Sequence, residues 1–77
     1  MNNQELPQIQ VELRDKAQNL AKNYDETSNE FKKYNAISKI LNESHCFSYI
    51  PMERAYAMLR DLGVEEDKFG EVYGQLV

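Results

Sequence analysis

The chain has no glycine before Gly63, prolines only at positions 7 and 51, a single cysteine, Cys46, and a single histidine, His45. Each scarcity excludes something. Between Pro7 and Pro51 the residues that punctuate turns most strongly are missing, so any helix ending there must be marked by weaker signals. No run of 18 apolar residues occurs, so no segment qualifies as a membrane span. The N-terminus lacks the basic, apolar and small-residue order of a secretion signal, and a cytoplasmic location is the expectation. One cysteine cannot close an internal disulfide, which agrees with a reducing compartment.

The same scarcity bears on chemistry. Zinc takes three or four ligands, usually in paired spacings, and His45 with Cys46 supplies two adjacent ones and no more. A Cys–His nucleophile pair needs convergent side chains and an oxyanion hole, neither of which adjacency provides. Cys46 is therefore expected to be a small buried residue and His45 a surface loop residue. No G-x-x-x-x-G-K phosphate loop is present. Neither a metal, a cofactor nor a small-molecule substrate is expected, and the chain is expected not to be an enzyme.

What remains is a short, acidic, helix-rich chain. Its 77 residues suit one helical domain over 1–77, and the apolar area a chain of this size buries barely offsets its conformational entropy, so self-association into a homodimer is a standing possibility. Nine Lys/Arg face 13 Asp/Glu, a net charge of −4, with the acids concentrated beyond residue 50. A nucleic-acid binder draws most of its affinity from a basic surface, and this balance runs against one. Lys32, Lys33 and Lys39 form the best basic option and are read as solvated charge.

Leu6, Ile9, Leu13, Ala17, Leu20 and Tyr24 recur at three and four residues, which predicts a first helix over about 6–23, with Pro7 in its first turn. Phe31, Tyr34, Ile37 and Leu41 predict a second over about 28–43. The stretch between, NYDETSNEF, raises the question of whether the chain turns at residues 25–28 or continues as one helix over 6–43. Tyr24, Thr27, Phe31, Tyr34, Ser38 and Leu41 continue the first stripe in phase, which supports a rod. Against it, residues 25–29 are poor helix formers. Thr27-Ser28-Asn29-Glu30 has capping-box form, with Thr27 expected as the cap. A rod over 6–43 would also extend roughly 57 Å and need a partner to cover it. A turn is expected, and the long helix packed in a dimer is the alternative.

The connector NESHCFSYIP has no helical period. Ser48 is placed to cap a third helix over about 50–62 holding Pro51 in its first turn, with Met52, Ala55, Tyr56, Leu59 and Leu62 on one face. Gly63 reads as the left-handed residue closing that helix, with Val64 making the accompanying apolar contact. A fourth helix over about 65–76 carries Glu65, Glu66 and Asp67 in its first turn and turns Phe69, Val72, Tyr73 and Leu76 inward. The expected architecture is all-α, a small antiparallel four-helix bundle.

The third and fourth helices have the outline of a helix-turn-helix, but the fourth would present four acids and one lysine to a DNA groove, the wrong sign for phosphate. Gly70 and Gly74 each cost about 1 kcal/mol against alanine inside a helix, so something is expected to need the space. Close packing against the first or second helix is the leading explanation, an intermolecular contact the next, and glycines merely tolerated on the surface the third. In size and architecture the chain resembles small helical immunity or inhibitor proteins of bacterial mobile elements. That resemblance implies a regulator or inhibitor that binds another protein. The acids and the glycine groove of the C-terminal helix pair, Glu65, Glu66, Asp67, Gly70, Glu71, Gly74 and Val77, are the expected contact. A structural homo-oligomer and a nucleic-acid binder using the second-helix lysines are the alternatives.

Overall fold

A computed structural model of the chain describes residues 6–77. It is all-helical, with α1 over Gln8–Ala21, α2 over Asn29–Ile40, α3 over Met52–Asp61 and α4 over Phe69–Leu76. Single 3₁₀ turns over Cys46–Tyr49 and Glu66–Lys68 precede α3 and α4. The four helices form a small bundle, with α1 and α2 its most closely packed pair.

The chain turns between α1 and α2, which removes the single long helix over 6–43. The α1 helix ends with three-residue closures, Asn23 N–H to the Leu20 carbonyl and Tyr24 N–H to the Ala21 carbonyl, both 3.1 Å. Asp25 then organises the reversal. Its carbonyl accepts from the Ser28 N–H at 2.9 Å and the Ser28 hydroxyl at 2.7 Å. Ser28, not Thr27, is the cap of α2, its hydroxyl oxygen accepting from the Phe31 N–H at 3.1 Å. The Thr27 hydroxyl is committed elsewhere, donating to the Asp25 carboxylate at 3.0 Å.

The two helices approach closely because small residues line their contact. Ala17, Ala21 and Ser38 are buried there together with Leu13, Ile37 and Leu41. The buried stripe of α1 runs Gln10, Leu13, Ala17, Ala21, rotated from the expected one, leaving Ile9 and Leu20 half-buried and Tyr24 exposed. Gln10 is wholly buried, which its polarity did not suggest.

Between α2 and α3 the connector folds inward. His45 adopts a left-handed conformation with φ 56°, and Ser48 bonds back to it, both its N–H (3.0 Å) and its hydroxyl (2.7 Å) donating to the His45 carbonyl. Ser48 therefore does not cap α3; Pro51 stands at that position, its carbonyl accepting from Arg54 and Ala55 at 3.0 Å. Phe47 becomes one of the most deeply buried side chains, stacked on Tyr73 with centroids 6.0 Å apart. Tyr56 completes the cluster, 5.2 Å from Phe69 and edge-on to Tyr73 at 5.9 Å.

The end of α3 follows the expected Schellman form. Gly63 has φ 85°, its N–H donates to the Arg60 carbonyl, and the Val64 N–H reaches the Leu59 carbonyl, both at 3.0 Å. The fourth helix departs from expectation at its start. Lys68 N–H closes a three-residue turn onto the Glu65 carbonyl at 2.9 Å, and with Lys68 at φ −106° and ψ −2° the α-helix begins only at Phe69. Phe69, Val72 and Leu76 are buried and Tyr73 half-buried, as the periodicity predicts. Among the described residues no helix is long and apolar enough to cross a membrane.

Candidate functional site

All seven residues singled out by sequence lie on the surface; α4 and its preceding 3₁₀ turn carry five of them, with Glu65 just before that turn and Val77 just after α4. Glu66, Gly70, Gly74 and Val77 follow one another at helical spacing along the exposed side, flanked by Glu65, Asp67 and Glu71. Their placement has a simple origin. Once Phe69, Val72 and Leu76 are turned into the core, Gly70, Gly74 and Val77 fall roughly 100° or more round the 3.6-residue helix from the buried stripe, on its solvent side.

The glycines do not pack inside the chain, contrary to the leading expectation. A methyl group at Gly70 would meet only the Tyr56 hydroxyl at 3.7 Å, an ordinary contact, and one at Gly74 would meet nothing within 4 Å. Neither helix of the α1–α2 pair comes near them. The result is a shallow strip without side chains, its end formed by Val77, which is 46% exposed. Four carboxylates and one ammonium group, Lys68, surround it. The two ion pairs among the described residues, Arg14–Asp15 and Lys33–Asp61, involve none of these acids. Arg60 lies over the Phe69 ring at 5.9 Å, next to the start of the strip. The surface is thus acidic, unpaired and open to close approach of another backbone.

His45 and Cys46 occupy different environments although adjacent in sequence. The His45 Nδ1 lies 3.3 Å from the Val77 carbonyl oxygen, tying the connector to the end of α4. Cys46 is buried, and burial pushes its thiol up to about 11. A thiol that stays protonated at neutral pH is neither a good nucleophile nor a ready metal ligand. No three His, Cys, Asp or Glu side chains converge on one point among the described residues. Of the lysines considered as a basic patch, Lys33 is drawn to Asp61 at 3.8 Å and lies over the Tyr34 ring at 4.9 Å, while Lys32 and Lys39 are exposed.

Sequence reasoning missed Tyr49, whose side chain is 89% exposed beside a depression formed by α2 and the connector. The available signal was the concentration of aromatic and aliphatic residues in a stretch with no helical period. No protein-family model, curated protein or solved structure matches the chain.

Proposed function

We propose that this chain is a small non-enzymatic regulator of the inhibitor or immunity type, which works in the cytoplasm by binding another protein through the acidic strip on α4. The observation that carries it is the open space at Gly70 and Gly74. Two glycines weaken a helix of only eight residues, yet nothing among the described residues requires their lack of side chains. A partner backbone lying in the strip would require it. The unpaired carboxylates around the strip select the partner's chemistry: a basic segment whose lysines or arginines reach Glu65, Glu66, Asp67 and Glu71. Val77 offers the apolar contact at the end of the strip, and Tyr73 and the Tyr56 hydroxyl border it.

The test is capture of partners from the cells that express the protein, using wild type and two variants. Proteins retained by wild type should be lost to Glu66→Lys with Glu71→Lys, because opposite charge becomes like charge. They should be retained at least tenfold less by Gly70→Ala with Gly74→Ala, since the methyl groups hold the partner backbone away. All substituted positions are exposed, so the fold should persist, as circular dichroism would verify. A partner retained equally by all three proteins would rule out the strip as the working face.

A further inference from the structure

The α1–α2 hairpin has a sequence that would also suit a straight helix. Gln10, Ala17, Tyr24, Phe31 and Ser38 stand seven residues apart, and Leu13, Leu20, Thr27, Tyr34 and Leu41 repeat at the same interval between them, so one heptad register runs unbroken through the turn. The hairpin buries the two ends of this stripe and leaves its middle uncovered. Gln10, Leu13, Ala17, Ser38 and Leu41 are buried, Leu20, Phe31 and Tyr34 are half-buried, and Tyr24 and Thr27 are exposed, Tyr24 to 41%. The backbone of the turn does not forbid straightening. No residue between Ala21 and Asn29 is glycine or proline, none has a positive φ, and Lys22 keeps a right-handed helical conformation at φ −66° and ψ −15°. What holds the reversal is the set of bonds that Thr27 and Ser28 make around Asp25 and at the start of α2, all by exposed or half-buried groups.

The contacts within the hairpin also fix how a second copy would fit. The Gln10 amide donates to the Leu41 carbonyl at 2.7 Å, which sets position 10 opposite position 41 in an antiparallel pair. Continuing inward by sevens sets 17 opposite 34 and 24 opposite 27. Within one chain that last pair cannot form across two helices, because residues 24–27 are the turn itself. Between two chains it can: Tyr24 falls opposite the partner's Thr27, and the uncovered middle of the stripe closes on its own copy about a two-fold axis. We propose that the chain exchanges α1 with a second copy, the turn at residues 22–28 straightening so that residues 8–40 form one helix about 50 Å long. In the exchanged dimer α1 packs on the partner's α2 through the bonds it makes with its own α2 in the hairpin, Gln10 to the partner's Leu41 and Arg14 to the partner's Asn42. The exchange gives up only the bonds of the turn and the helix propensity of the run from Asp25 to Asn29, and it covers Tyr24 in return. The hairpin is therefore the state of the dilute chain and the exchanged dimer that of the concentrated one.

Sedimentation equilibrium and circular dichroism on the full chain, before and after refolding at millimolar concentration, test it. The expected mass rises from 9.0 kDa toward twice that value, and the helical signal rises with it as residues 22–28 become helical. Glu26→Pro separates the two states. Glu26 is the second residue of the turn that the Ser28 N–H closes on the Asp25 carbonyl, a position that favours proline, whereas proline inside a continuous helix breaks it. This variant should melt with wild type in dilute solution and associate at least tenfold more weakly. Asp25→Ala, Thr27→Ala and Ser28→Ala combined remove the side-chain bonds of the turn and raise helix propensity, so association should tighten at least tenfold. A wild-type chain that stays at 9.0 kDa after refolding at millimolar concentration would overturn the proposal. So would a dimer formed without gain of helix, or a Glu26→Pro chain that associates within twofold of wild type. Should Glu26→Pro fail to fold, the triple alanine variant decides alone, and association no tighter than wild type would overturn the proposal.

Discussion

The Gln10 amide, in the first turn of α1, donates at 2.7 Å to the carbonyl of Leu41, thirty-one residues along the chain. The same nitrogen also donates to the Glu43 carbonyl at 2.8 Å. One buried side chain thereby satisfies two carbonyls left over at the end of α2, where helices always leave acceptors without partners. Arg14 reinforces the junction from one turn further on, donating to the Asn42 side-chain oxygen at 2.9 Å. Gln10 Oε1 is itself buried with no partner among the described residues, so what stabilises the junction there is the amide's donors.

Replacing Gln10 by methionine keeps the volume and removes both donors. The expected loss is about 1–3 kcal/mol, measured by urea unfolding, because buried carbonyls lose their partners. Gln10→Glu should cost more at neutral pH, since it sets a carboxylate against two carbonyl oxygens. An unfolding midpoint for either variant equal to wild type would show that the junction contributes nothing.

The turn between α1 and α2 separates two adjacent hydroxyl residues by role. Ser28→Ala should lower stability by about 1 kcal/mol through loss of the cap. Thr27→Ala should stay within roughly 0.5 kcal/mol of wild type, as exposed substitutions usually do. Two glycines inserted after Glu26 should leave the helical circular dichroism and a cooperative melt intact, since lengthening a loop costs only tenths of a kcal/mol. Loss of the melt would indicate that the reversal depends on its present length.

The three glycines should respond to alanine with opposite signs. Gly63 sits at φ 85°, where a side chain is strained, so Gly63→Ala should lower stability by about 1–2 kcal/mol. The Lys16 ammonium group, 3.2 Å from the added methyl, can swing away and does not decide the outcome. Gly70→Ala with Gly74→Ala should instead raise stability, by up to about 2 kcal/mol in total, through helix propensity. Thermal melts of both variants against wild type provide the comparison, and a lower melting temperature for the α4 pair would mean that the strip is packed against something in the monomer.

Cys46 supplies a pH prediction. Its thiol lies at about 11 in the fold against an ordinary value of 9.0, so the folded chain holds the proton more tightly than the unfolded chain. The associated stability is complete below pH 9 and is lost as pH rises toward 11. Wild type should lose stability across that window more than Cys46→Ala does. At pH 8 the native thiol should react with a disulfide reagent far more slowly than the same thiol in urea, and equal rates would contradict its burial.

Sequence alone determined those features whose physics is local. The heptad-like recurrence of Leu13 and Ala17, or of Phe69, Val72 and Leu76, specifies a buried helical face wherever the helix ends up. Gly63 marks the end of α3 because a relaxed left-handed residue at that point is nearly always glycine. The run from Asp25 to Asn29 marks the turn because those side chains compete with helical hydrogen bonds, although which hydroxyl caps α2 depended on Asp25 engaging Thr27 first. The tertiary structure decided everything that depends on residues far apart meeting. Gln10 has no local reason to be buried; its partners exist only once α1 lies beside the end of α2. Phe47 sits in an aperiodic connector and reaches the core only because the left-handed turn at His45 directs it onto Tyr73. The openness around Gly70 and Gly74 is a property of space left by neighbouring elements. No pattern within one helix encodes what the next helix leaves uncovered.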